Sequence, residues 1–79
     1  MSDAKIRWNC RRGMLELDLL LTPFVENYLK QLTQHQRMLF ERLLALSDPD
    51  LYAALMGFEK PEDLELLEIV DFIRTHHRL

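Results

Sequence analysis

An all-α fold, a compact bundle of about five short helices, is what this sequence predicts, and three observations lead to it. The chain is 48% hydrophobic and 29% charged, with only two glycines and three prolines, a composition that orders and folds. Leucine supplies most of the apolar content and β-branched residues are few, which favours helix over sheet. Helix-start devices recur at Ser2, Thr22-Pro23, Thr33 to Gln36, Asp48-Pro49 and Pro61, each a cap or a proline able to sit where a helix begins. With 79 residues the chain suits one domain spanning 1–79, and a domain of this size buries only about 60% of its unfolded surface, so its core is small.

Ser2 caps a first helix that runs to about Arg11, with Asp3 at its positive end and Arg11 and Arg12 at its negative end; Gly13 is its expected stop, a residue that permits positive φ. Ile6 and Cys10, four apart, share an inward stripe, whereas Arg7 and Arg11 share an outward one. The next stretch, Leu15-Glu16-Leu17-Asp18-Leu19, alternates like a strand, yet Met14, Leu17 and Leu21 also fit one helical face. A single short strand would have no partner, so helix is the better assignment. On it Glu16 and Asp18 point about 200° apart.

Thr22-Pro23 then reads as a restart, followed by Phe24, Tyr28 and Leu32 at four-residue intervals. The capping box Thr33-x-x-Gln36 opens a helix to about Leu46, whose apolar face of Leu39, Leu43 and Leu46, flanked by Phe40 and Leu44, makes it the expected centre of the core. Asp48-Pro49 starts a short helix lined by Leu51, Tyr52, Leu55 and Met56, and Gly57 ends it. Pro61 starts the last one. Glu62, Asp63 and Glu65 at its beginning and Arg74, His76, His77 and Arg78 at its end complement the helix dipole, and Leu66, Ile69, Val70 and Ile73 face inward.

The lone Cys10 cannot form an internal disulfide, no secretory leader pattern is present, and no apolar run approaches the ~20 residues of a membrane span, so the expected location is the cytoplasm. Net charge is −3, unevenly placed. Residues 1 to 13 hold Lys5, Arg7, Arg11 and Arg12 against Asp3 alone, while the remainder holds six basic against twelve acidic side chains. A helix-turn-helix nucleic-acid module is the competing class for so small a helical chain, but the acidic body, dense between Asp48 and Asp71, repels phosphate.

Enzymatic chemistry finds no footing. His35, His76, His77 and Cys10 form no nucleophile, metal or phosphate-loop pattern; Cys10 reads as a small buried hydrophobe and His35 as a surface residue. Met14, Met38 and Met56 read as core filler, with Met14 the exception to watch because it adjoins Gly13. Trp8 either covers the small core or stands exposed among basic neighbours as an aromatic anchor.

The stretch Trp8-Asn9-Cys10-Arg11-Arg12-Gly13-Met14-Leu15-Glu16-Leu17-Asp18 gathers features that core packing does not require. Its structural explanation is a helix stop with a salt bridge fixing the turn, but exposed ion pairs contribute only ~0–1 kcal/mol. A protein partner could instead use the planar arginine donors against carboxylates or phosphates. The block contains Arg12-Gly13-Met14-Leu15-Glu16, an Arg-Gly-x-x-Glu motif, and with the later Asp48-Pro49-Asp50-Leu51 and the closing acidic helix it resembles the small bacterial SdhE (YgfY-like) family over nearly the whole chain. Family members often carry a tryptophan soon after Asp-Pro-Asp-Leu, where this chain reads Tyr52-Ala53-Ala54-Leu55.

The resemblance implies a non-enzymatic, chaperone-like assembly factor that promotes covalent attachment of FAD to the flavoprotein subunit of succinate dehydrogenase, and of fumarate reductase in some members. It would act as a monomer, hold no cofactor stably, bind no nucleic acid and insert in no membrane. Arg7, Trp8, Arg11, Arg12, Gly13, Glu16 and Asp18 are the expected partner-binding residues. Relatives described as antitoxins offer a second protein-binding alternative.

Overall fold

Ser2 accepts a hydrogen bond from the Lys5 backbone N–H, which gives the first helix, α1 (Asp3–Asn9), the start that its sequence predicts. In the computed structural model, which describes residues 2–76, four more helices follow. They are α2 (Leu15–Tyr28), α3 (Gln34–Leu44), α4 (Asp48–Met56) and α5 (Leu66–His76), with a 3₁₀ turn at Leu29–Gln31 between α2 and α3. The described residues are thus an all-α bundle of five helices. His77 and Arg78, expected at the end of α5, lie outside them.

α3 and α5 make the most extensive helix pair. The capping box predicted for α3 is present in full: Thr33 Oγ1 accepts from Gln36 N–H and Gln36 Oε1 accepts from Thr33 N–H, both at 3.0 Å. Leu39, Phe40, Leu43 and Leu44 of α3 and Leu66, Ile69, Val70 and Ile73 of α5 are all buried, so each contributes to the stripe that its spacing assigns to it. Phe24 of α2 meets Phe40 and Phe72 edge-on, with ring centroids 5.5 and 5.9 Å apart, a geometry favoured by the ring quadrupoles. Ile6 and Cys10 bury the inner side of α1.

Four boundaries differ from the sequence expectation. Thr22-Pro23 does not restart a helix: α2 runs through Pro23 unbroken. A proline inside a helix removes one hydrogen bond to the residue four before it, here the carbonyl of Leu19. Leu19 and Pro23 are both exposed, so that carbonyl lies on the solvent side, while Leu17, Leu20, Leu21, Phe24 and Val25 stay buried across the join. Gly13 does not end α1 either. The helix closes at Cys10 in the right-handed region, and Gly57, with φ of 77°, is the one described residue at positive φ.

The third difference is at α4, whose N-cap is Ser47 rather than Asp48; its hydroxyl faces the Asp50 N–H, and Asp48 and Pro49 occupy the first turn. Last, α5 begins at Leu66, not at Pro61. Asp63 explains the delay, because its side chain accepts from Glu65 N–H and its carbonyl from Leu66 N–H, turns that a short polar side chain promotes ahead of a helix.

Candidate functional site

Arg12 sits at the junction of four helices. Its Nη1 donates to the carbonyls of Asn9 at 3.0 Å and Leu44 at 2.9 Å, and its Nη2 to the carbonyl of Leu46 at 2.7 Å. Its Nε donates to Asp48 Oδ1 at 2.7 Å. The guanidinium thereby satisfies carbonyls at the carboxyl ends of α1 and α3, where helices leave acceptors unpaired and favour positive charge. It also binds the carboxylate in the first turn of α4. From the α2 side, Asp18 Oδ1 accepts the Arg12 backbone N–H at 3.0 Å.

Sequence reasoning placed Arg12 and Asp18 among the residues facing a partner, and the structure directs both inward. The Arg12 side chain is 14% exposed and four of its five N–H donors are engaged within the chain. The motif arginine does form the salt bridge that the structural explanation required, but with Asp48 instead of Glu16. This pinning holds the 10–14 turn in place. A β-carbon at Gly13 would lie 3.9 Å from Asp48 Oδ2, ordinary van der Waals contact, so the glycine leaves open surface over the Arg12–Asp48 pair rather than relieving backbone strain.

The other expected residues are exposed. Trp8 is 69% exposed, which settles it as a surface aromatic. Arg7, Arg11 and Glu16 are exposed and make no side-chain ion pair among the described residues. Glu16 and Asp18 diverge as the helical geometry requires, one to solvent and one to the turn. Sequence reasoning missed Leu15 and Leu19, 67% and 62% exposed. The signal available for them was their position opposite Leu17, Leu20 and Leu21 on a helix. Met14 and Met56 pack against the core and Met38 is half exposed.

Cys10 is buried at the foot of this site, and burial pushes its thiol up to about 12 despite the nearby positive charges of Arg12 and Arg7, which disfavours the thiolate needed for nucleophilic chemistry. His35 is a surface residue that pairs with Glu68 at 2.9 Å. Among the described residues no group of side chains is arranged to hold a metal ion, and no helix is long and apolar enough to cross a membrane. What the turn offers chemically is a rigid surface bearing an indole, two guanidinium groups and a carboxylate.

Comparison with known proteins points to one family. A family model described as "Flavinator of succinate dehydrogenase" matches residues 4–77. The chain is 58% identical over 72 residues to a protein named FAD assembly factor SdhE from Legionella pneumophila (strain Paris), covering 91% of this chain and 90% of that protein. It is 49% identical over 74 residues to the protein of the same name from Shewanella oneidensis, covering 94% and 90%.

Proposed function

Because the chain belongs to the family of succinate dehydrogenase flavinators, we propose that the pinned turn between α1 and α2 is the surface through which it engages the flavoprotein subunit of succinate dehydrogenase. The protein is an FAD assembly factor that promotes covalent flavin attachment and is not itself an enzyme. The bond-forming chemistry belongs to the flavoprotein, which holds FAD and its acceptor side chain. This chain contributes binding energy, favouring the arrangement of the immature subunit in which the bond forms.

The observation that carries this reading is the division of labour within Arg12-Gly13-x-x-Glu16. Arg12 is consumed by four internal hydrogen bonds from its side chain, so Gly13 and Glu16 stand on a fixed frame with no ion-pair partner for the carboxylate among the described residues. Preorganisation of this kind reduces the entropy lost when a partner docks. Arg7 and Trp8 on α1 and Arg11 just after it extend the surface. Arg12 and Asp18 belong to it as positioning residues.

The finer assignments are part of the same proposal: service to a fumarate reductase flavoprotein as well, action as a monomer, and a cytoplasmic site of action. The test is covalent flavin fluorescence of the flavoprotein subunit on a denaturing gel, produced with and without this chain. Fluorescence that rises with the chain supports the reading, and equal fluorescence in its absence overturns it.

A further inference from the structure

The exposed side of α2 continues the proposed docking surface in a direction that the motif does not announce. Leu15, Leu19, Thr22 and Glu26 are all exposed, and at 100° per residue they fall within about 60° of arc, a single stripe along the helix. The stripe is apolar at its amino-terminal end. At its other end it borders a cleft of about 220 Å³ between α1 and α2, where Thr22 and Glu26 face Arg7 and Arg11 across a floor formed by Cys10 and Val25. Neither guanidinium is ion-paired with Glu26 among the described residues, and two of them against one carboxylate leave the rim net positive.

Resting on the function proposed above, we infer that this stripe and cleft together form the specificity surface for a segment of the flavoprotein subunit that presents a large apolar side chain beside a carboxylate. The apolar side chain covers Leu15 and Leu19, and the carboxylate is received by Arg7 and Arg11, which suit it as bidentate donors. Charge complementarity selects this occupant. The stretch from Asp48 to Asp71 carries eight carboxylates against Lys60 alone and repels an acidic segment, whereas the face holding Arg7 and Arg11 attracts one. Of the other exposed large apolar residues, Phe58 and Leu64 lie in that acidic region and do not fit such a segment.

The test measures binding of purified flavoprotein subunit lacking covalent FAD to the full chain and to Leu19→Glu, Arg11→Glu and Phe58→Ser, with thermal unfolding recorded for each. Leu19→Glu and Arg11→Glu should unfold like the parent and bind about tenfold more weakly or worse, the loss expected for an interface anchor. The Arg11→Glu deficit should shrink at high salt, and Phe58→Ser should bind normally. Parent-like affinity of both stripe variants, with flavinylation by the parent chain intact, overturns the stripe while leaving the function standing. A parent chain that neither binds the subunit nor raises covalent FAD overturns both. Two further results would overturn the assignment of occupant: FAD alone binding the parent but not Arg11→Glu, and Leu19→Glu dissolving a dimer of this chain in sedimentation.

Discussion

Arg12 Nε donates to Asp48 Oδ1 at 2.7 Å across 36 positions of sequence, and through this one pair the turn after α1 is fastened to the start of α4. The same guanidinium holds the carbonyls of Leu44 and Leu46, so a residue in the most distinctive motif of the chain acts first as its internal clamp. Arg12→Ala strands three carbonyls and a half-buried carboxylate, and breaking a buried, hydrogen-bonded charge costs ~3–5 kcal/mol. At the partial exposure found here, about 2–4 kcal/mol is expected in urea unfolding, with Arg12→Lys recovering only part because an ammonium lacks the planar fork. An unchanged midpoint for Arg12→Ala would contradict the clamp.

The two glycines should respond oppositely. At Gly13 no positive φ applies and an added β-carbon would lie 3.9 Å from Asp48 Oδ2, so Gly13→Ala should stay within about 0.5 kcal/mol of the parent. Gly13→Arg should remain folded yet support less flavinylation, because its side chain covers the docking surface. Gly57 has φ of 77°, and a β-carbon there would meet Arg74 Nη1 at 2.6 Å; Gly57→Ala should therefore cost more than about 1 kcal/mol. Thermal unfolding of the three variants checks the order.

Leu43 lies midway along α3 and is fully buried. Leu43→Ala should cost ~2–5 kcal/mol, enough to unfold much of so small a domain. Chemical denaturation monitored by far-ultraviolet dichroism provides the value, and a shift below that range would mean that α3 is not central to the core.

Acid should loosen the tie between α1 and α3. The hydrogen bond from Arg37 outweighs desolvation and, with the charges of Arg37, Arg7 and Lys30, holds Asp3 below its ordinary 3.8. The unfolded chain therefore binds more protons than the folded one in this window, so stability rises with pH there. The contribution is fully present above about 3.8 and is lost as pH falls through the lower folded value. Asp3→Asn should flatten the pH dependence of the unfolding midpoint below pH ~4 and leave its slope near neutrality unchanged.

Local chemistry was legible in the sequence where it is self-contained. The Thr33–Gln36 box closes within four residues, and the stripes of α3 and α5 repeat at helical spacing, so both could be read without knowing the fold. Pro23 was misread because Thr-Pro is a sound start signal locally, whereas the burial that carries α2 across it depends on Phe40 and Phe72, distant in sequence. The internal bonds of Arg12 were hidden for the same reason. Beside a glycine and a second arginine it reads as surface, and most of its acceptors, at Leu44, Leu46 and Asp48, are set by the fold. The exposure of Glu16 was legible because its angle on α2 differs from that of the buried Leu17, Leu20 and Leu21.

Glu16 is consequently the residue on which the proposed docking surface is tested most directly. It is exposed and makes no ion pair among the described residues, so Glu16→Ala should shift stability by no more than about 0.5 kcal/mol, whereas loss of a central partner contact costs ~2 kcal/mol or more. Covalent FAD incorporation into the succinate dehydrogenase flavoprotein subunit, read as flavin fluorescence on a denaturing gel over a titration of the Glu16→Ala chain, is the decisive measurement. The expected result is a folded variant that needs about thirtyfold more protein to reach half-maximal incorporation. A folded variant whose titration overlays that of the parent would contradict it.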